Sequence, residues 1–178
     1  MFTKKFNITR KLDEGAQGEV YVASDLVSGH EKYVAKIFKD PNENKEAKVI
    51  SKIRRLSRSK SPYRFPKIYD QGNVDGKYFL VTRRYTTSLD NYLNKGNQLE
   101  PSQALEIIIQ LLDIFKDIHE SGFTYNDLKP ENIMLNNSSD GSVHATLIDF
   151  GYAKEYVPKQ HLEEADFFEG NMYFASVN

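Results

Sequence analysis

Up to about residue 85 the chain alternates apolar and polar positions in short runs broken by turn residues, the period of half-buried strands. "NITRKLD" alternates and runs into "EGAQG"; "EVYVAS" follows, then a turn at "LVSGH", then "EKYVAKIF". This predicts three antiparallel strands in succession. Ala47, Ile50, Ile53 and Leu56 recur at helical spacing in "NKEAKVISKIRRL" and predict a helix after the third strand. "FPKIYDQG" and "KYFLVT", either side of a segment containing Asp75-Gly76, predict a fourth and fifth strand joined as a hairpin. A five-stranded antiparallel sheet is expected. Beyond it "TTSLDNYL" suits a short helix, and Pro101 stands near the first turn of a long helix that stops at about Gly122. That helix carries Leu105, Ile107, Ile108, Ile109, Leu111, Leu112, Ile114, Phe115 and Ile118, more than one apolar stripe, so it wants burial on several sides. "NNSSDGS" reads as a solvated turn between two strands, and no internal repeat is present.

Composition narrows this picture by exclusion. A chain of 178 residues suffices for one domain or two small lobes sharing a core. With 24 Lys+Arg against 25 Asp+Glu, global charge gives no reason to expect nucleic acid or an anionic membrane. The absence of cysteine removes disulfides, thiolate metal sites and cysteine nucleophiles together. No run has the length of a signal peptide's apolar core or of a membrane span, so a cytoplasmic or nuclear protein is expected, with no membrane partner.

The candidate chemistry sits in four places. Gly15 and Gly18 lie in a turn between two predicted strands, where absent side chains let backbone amides approach a phosphate. An isolated G-x-x-G is also what an ordinary hairpin connection looks like. Lys36 stands in the next strand in an apolar frame (Val34, Ala35, Ile37, Phe38), where a cation is costly unless paired, and Glu46 on the following helix can supply that pair. In "YNDLKPENIML", Asp127 can accept a hydroxyl proton or orient a nucleophile, Lys129 can neutralise a transferring phosphoryl group, and Asn132 can hold a divalent cation. Asp149 in "LIDFG" offers a second cation ligand, and carboxylate and amide oxygens suit Mg2+.

In this order, the glycine loop, strand lysine, helix glutamate, D-x-K-x-x-N and D-F-G make the sequence resemble a eukaryotic-type protein kinase along its whole length. The resemblance implies an α+β, protein-kinase-like fold. Residues 1–85 would form an N-lobe with a five-stranded antiparallel sheet and one helix, and residues 86–178 a truncated, mainly helical C-lobe. It implies ATP- and Mg2+-dependent transfer to serine or threonine of a protein substrate, because a lysine at the offset of Lys129 marks that branch. It also implies an adenine site between Leu12, Val20 and Val34 on one side and Met134 on the other, with Ile148 just before the metal aspartate. Thr82 becomes the gatekeeper and Arg83, Arg84 and Tyr85 the hinge. The final "EGNMYFASVN" is similar to the casein kinase 1 and vaccinia-related group, as is "IDFGYAKEY".

The departures from the family pattern define the competing readings. Asp13 takes the first glycine's place, adding negative charge near a polyphosphate, and Tyr125-Asn126 replaces His-Arg. The tyrosine still offers Phe150 an aromatic surface; the lost arginine removes the usual partner of a phosphorylated activation segment, so activity independent of such phosphorylation is expected. Family members continue with further helices past the position of Asn178, so an exposed apolar patch on the long helix, covered by a second copy or a partner chain, is expected. A pseudokinase-like binding module is the alternative that Asp13 and the absence of those helices favour; a small-molecule phosphotransferase fits "DLKPEN" less well. Finally, Lys48, Lys52, Arg54, Arg55, Arg58, Lys60, Arg64 and Lys67 form a run without acidic residues, suited to an acidic or prephosphorylated substrate, to nucleic acid, or to being a solvated face. His119 and His161 have no partners at metal-ligand spacing.

Overall fold

Strand register decides which side chains share a face, and here it sorts the N-terminal residues into two sets. The computed structural model describes residues 3–41, 43–57, 61, 63–137 and 142–155. Strands β1 (Phe6–Glu14), β2 (Gly18–Asp25), β3 (Tyr33–Phe38), β4 (Ile68–Val74) and β5 (Lys77–Arg83) form one antiparallel sheet in the order β1-β2-β3-β5-β4. One face carries a packed cluster of Phe6, Ile8, Ala23, Ala35, Ile37, Phe79 and Val81, with Tyr21, Tyr33, Tyr69 and Val74 at its margin. The other face takes the alternate positions, Val20, Val22, Val34, Lys36 and Thr82 among them. The β4–β5 turn is made by Asp75 (φ 51°) and Gly76 (φ 73°), the left-handed pair that a two-residue hairpin of matching twist requires.

Helix α1 (Lys45–Leu56) buries Ala47, Val49, Ile50 and Ile53, whereas Leu56, the last position of the expected stripe, is exposed. Glu46 in its first turn and Arg54 and Arg55 in its last complement the helix dipole. The chain divides into two compact units, Met1–Ser51 with Pro66–Arg84, and Lys52–Phe65 with Tyr85–Asn178.

In the second unit, β6 (Thr87–Ser88) leads into α2 (Leu89–Asn94), whose first turn is capped by the Ser88 hydroxyl accepting from Asn91 N at 3.1 Å. Helix α3 (Pro101–Glu120) starts on Pro101 and ends where Gly122 (φ 81°) donates its N–H to His119 O. Strands β7 (Phe123–Thr124) and β10 (Lys154–Glu155) pair with each other, while β8 (Ile133–Asn137) pairs with both β6 and β9 (Val143–Leu147). The Gln110 side chain docks α3 onto β9 by donating to Val143 O (2.8 Å) and accepting from Ala145 N (2.9 Å). The "NNSSDGS" turn falls largely outside the described residues. No helix among the described residues is long and apolar enough to cross a membrane.

Part of the basic run turns out to be structural. Arg64 forks between Asp113 and Asp117 of α3, 2.8 Å to each, and Ser57 donates to the same Asp117 carboxylate at 2.9 Å. Arg54 donates to Phe65 O at 2.8 Å, and Lys52 pairs with Glu155 at 2.7 Å. The connection after α1 is therefore tied to α3 by buried or half-buried charge.

Two outcomes follow from this packing. Arg64→Ala leaves Asp117, which is 6% exposed, without its cation, and we expect a loss of about 2–3 kcal/mol in urea unfolding, the low side for a broken buried pair because Arg64 is partly solvated. Arg64→Lys should recover less than half of it, since a single ammonium nitrogen lacks the planar pair of nitrogens with which Arg64 meets Asp113 and Asp117 separately; a loss under about 0.5 kcal/mol for the alanine would make the network a surface pair. A Cβ on Gly18 would stand 2.3 Å from Ile37 O, while Gly15 has only Gly18 O within reach, at 4.0 Å. Gly18→Ala should thus cost about 1–3 kcal/mol and Gly15→Ala less than about 0.5 kcal/mol in the same measurement.

Candidate active site

Lys36 is on the sheet face that also holds Val20, Val34 and Thr82, because Val20 pairs with Lys36 across β2–β3 and Val34 with Thr82 across β3–β5. An ammonium in that setting must be paired, and it is: Lys36 Nζ lies 2.7 Å from the Glu46 carboxylate of α1, which is itself 4% exposed. Lys36 also donates to Gln17 Oε1 at 3.1 Å and stands 5.1 Å over the Phe38 ring. The glycine turn is closed by Gly15 N donating to Gly18 O at 2.8 Å. Gly18 is glycine for a reason the sequence did not show, the approach of the β3 backbone at Ile37.

Around this turn the remaining predicted residues occupy different settings. Leu12 falls in the register irregularity between Lys11 and Asp13 and is exposed. The Asp13 carboxylate accepts from Glu14 N at 2.8 Å. Lys11 bridges Glu14 (2.6 Å) and Glu19 (2.5 Å); these bonds raise the lysine above its ordinary pKa and, with a bond from Tyr21, hold Glu19 below its own. Arg83 pairs with Tyr33, and Arg84 N donates to Lys32 O at 2.9 Å, so in this arrangement the backbone N–H of Arg84 is committed to the chain before β3. Tyr85 opens the segment of the second unit that leads to β6.

In the second unit three predicted residues meet. Asp127 is 2% exposed, and its Oδ2 accepts from Asn132 Nδ2 at 2.8 Å and lies 3.0 Å from Lys129 Nζ. Asn132 also donates to Asp127 O at 2.9 Å. With both amide protons committed to Asp127, Asn132 presents its oxygen as an acceptor or cation ligand. Its backbone carbonyl accepts from Ile148 N at 3.0 Å, which places Asp149 one residue beyond that bond. The β8–β9 pairing Ile133↔Leu147 creates this proximity, and it sets Met134 opposite Thr146. Asp149 itself has φ 57°, and Gly151 N approaches its carboxylate at 3.5 Å. Among the described residues no cluster of three His, Cys, Asp or Glu could hold a metal ion alone. A carboxylate plus an amide fits an ion that takes its other ligands from water and phosphate.

An aromatic column supports this loop. Tyr125, 2% exposed, meets Phe150 edge to face at 5.1 Å, Phe150 meets Phe65 at 6.1 Å, and Phe115 meets Tyr125 at 6.1 Å. The Tyr125 hydroxyl donates to Ile148 O. Beside it Asn126, at φ 65°, donates through Nδ2 to Thr124 Oγ1 and to Tyr152 O, 3.1 Å each. The sequence shows this position only as a missing arginine; the structure shows an amide that ties the loop to the chain after Asp149. Nothing local in the sequence assigns Gln17, Phe65 or the helix residue Phe115 to the site, since they read as turn and core residues. His119 lies beside Phe115 in the last turn of α3, and His161 lies outside the described residues.

Comparison with known proteins agrees with this arrangement. The protein kinase domain family matches residues 6–176. Among similar proteins, serine/threonine-protein kinase PknH of Mycobacterium bovis is 33% identical over 153 residues, 83% of this chain and 24% of the relative. A probable serine/threonine-protein kinase PknB of Lactococcus lactis is 27% identical over 182 residues, covering 100% of this chain and 27% of the relative. Serine/threonine-protein kinase PrkC of Bacillus subtilis is 29% identical over 154 residues, 84% of this chain and 23% of the relative. The chain thus spans about a quarter of the length of these curated relatives. With its five-stranded antiparallel sheet, its strand lysine paired to a helix glutamate and its Asp127–Lys129–Asn132 loop, the chain belongs to the protein kinase domain family.

Proposed function

We propose that this chain transfers the γ-phosphoryl group of ATP to a serine or threonine hydroxyl of a protein, in a magnesium-dependent reaction. The observation that carries the reading is the buried Asp127 carboxylate held by Asn132 and Lys129. A carboxylate fixed by two donors through one oxygen keeps the other for a substrate hydroxyl. Asp127 would orient that hydroxyl and take its proton as the oxygen–phosphorus bond forms and the bond to ADP breaks. Lys129 would offset charge on the transferring group. Asn132 and Asp149 would hold Mg2+, which when bound bridges phosphate oxygens and neutralises their charge.

Lys36, oriented by Glu46, would hold the nucleotide's phosphates, with Gly15 and Gly18 above them. Leu12, Val20, Val34, Met134 and Ile148 would enclose the adenine, next to Thr82 and the backbone of Arg83, Arg84 and Tyr85. The lobe of residues 1–85 then serves the nucleotide, and that of 86–178 the metal and the hydroxyl. A binding-only module gives no reason to keep a desolvated carboxylate at position 127.

Similarity to the casein kinase 1 group is carried by "IDFGYAKEY" and by residues 169–178, the latter outside the described residues, and the relatives above are bacterial serine/threonine kinases. A preference for acidic substrates loses support, since Lys52, Arg54 and Arg64 are engaged within the fold. The second copy or partner chain would sit on the exposed Leu105, Ile108, Ile109 and Leu112 of α3, and a strict monomer at high concentration in light scattering would oppose it.

Two expectations test the main reading. Incubated with labelled ATP, magnesium and a generic protein substrate, the chain should transfer phosphate to serine or threonine, and Asp127→Ala should lower the rate by about 10²–10⁴-fold; equal labelling by the variant would remove Asp127 from the chemistry. Because Asn126 already ties the loop to Tyr152 by an uncharged bond, phosphorylation between Gly151 and Gly170 should leave the rate within about twofold. A large activation would show that a phosphate-binding cation exists elsewhere.

A further inference from the structure

The ammonium of Lys36 has three N–H donors and no acceptor, so any side chain hydrogen-bonded to it must present an acceptor atom, here an oxygen. One such oxygen is the Glu46 carboxylate; another is Gln17 Oε1, at 3.1 Å, from the turn that joins β1 to β2. The Gln17 backbone is fixed from three directions. Gly15 N–Gly18 O closes the turn around it, Lys39 N donates to the Gln17 carbonyl at 3.1 Å, and Gly18 is pressed on Ile37 so closely that no Cβ fits. With the backbone held, only side-chain rotation decides whether the amide reaches Lys36.

We propose that Gln17 is a built-in competitor for Lys36: its amide oxygen occupies a donor direction that a nucleotide phosphate oxygen must take over, and so sets how tightly polyphosphate nucleotides bind. This rests on the reading that Lys36 holds phosphate. A neutral amide suits the role, since it satisfies a half-buried cation while the nucleotide is absent and yields to an anion that bonds the same ammonium more strongly. The competition acts only on ligands that reach Lys36. A nucleoside without phosphates leaves the Gln17–Lys36 bond in place and is indifferent to it.

The test is calorimetric binding of Mg-ATP and of adenosine to the chain and to two variants of this half-exposed side chain, Gln17→Met and Gln17→Glu. Methionine keeps the length and removes the acceptor. If the contact is made in most molecules, so that only a tenth to a third are open, the apparent Kd for Mg-ATP should fall about three- to tenfold in Gln17→Met, with adenosine unchanged. Glutamate replaces the amide with a charged acceptor and should weaken Mg-ATP by a similar factor, again without moving adenosine. Mg-ATP affinity that is unchanged or weaker in Gln17→Met, a gain in Gln17→Glu, or an equal shift for adenosine overturns the competition. No Mg-ATP uptake by the unaltered chain or by Gln17→Met overturns instead the assignment of Lys36 to phosphate, and this inference with it.

Discussion

A carboxylate almost fully removed from water is costly unless donors hold it, and the second unit meets that demand at Asp127. Asn132 gives it an amide proton and Lys129 an ammonium. Because Asn132 also accepts from Ile148 through its backbone, the group that steadies the carboxylate is the one that fixes where the chain turns at Asp149. The Tyr125–Phe150 contact and the Tyr125 hydroxyl bond to Ile148 O brace the same turn from behind. Left-handed backbone at Asn126 and Asp149 brackets this loop, on residue types whose short polar side chains tolerate it.

The first unit poses the complementary problem of a cation on an apolar sheet face. Its answer is Glu46, brought to Lys36 by the first turn of α1, together with the amide of Gln17. Sheet register does the positioning. Were β3 shifted by one residue against its neighbours, Lys36 would join the face where Ala35 and Ile37 pack with Phe79 and Val81, and the unit would have no place for it. The turn that supplies Gln17 is governed by a backbone approach at Gly18, so part of the glycine pattern reflects packing of β2 on β3 independently of any ligand.

How far the sequence carried these conclusions depended on the range of the physics involved. Local rules sufficed for the Asp75-Gly76 hairpin, the Pro101 start and Gly122 stop of α3, and the i, i+2, i+5 spacing of Asp127, Lys129 and Asn132. The Lys36–Glu46 pair was legible because a cation in an apolar strand demands a partner and a helix glutamate follows. What stayed hidden depends on residues far apart in sequence. Arg64 reads as one more solvated charge, because Asp113 and Asp117, which hold it, lie 49 and 53 residues away. Asn126 reads in the sequence as a loss because one of its acceptors, Tyr152 O, lies 26 residues further along the chain. In α3 the apolar excess was visible, but only the packing separates buried Ile107, Ile114 and Ile118 from exposed Leu105, Ile108, Ile109 and Leu112.

The proposed function assigns Lys36 to the phosphates of the nucleotide and Asn132 and Asp149 to the metal ion those phosphates bind. The most direct measurement is paramagnetic relaxation in the NMR spectrum of the chain with a manganese complex of a non-hydrolysable ATP analogue. Shared function predicts strong broadening both of the Lys36 side-chain signals and of the Asn132 and Gly151 amides, reversed by excess Mg2+. Broadening confined to one of the two units, or none at saturating complex, would contradict it.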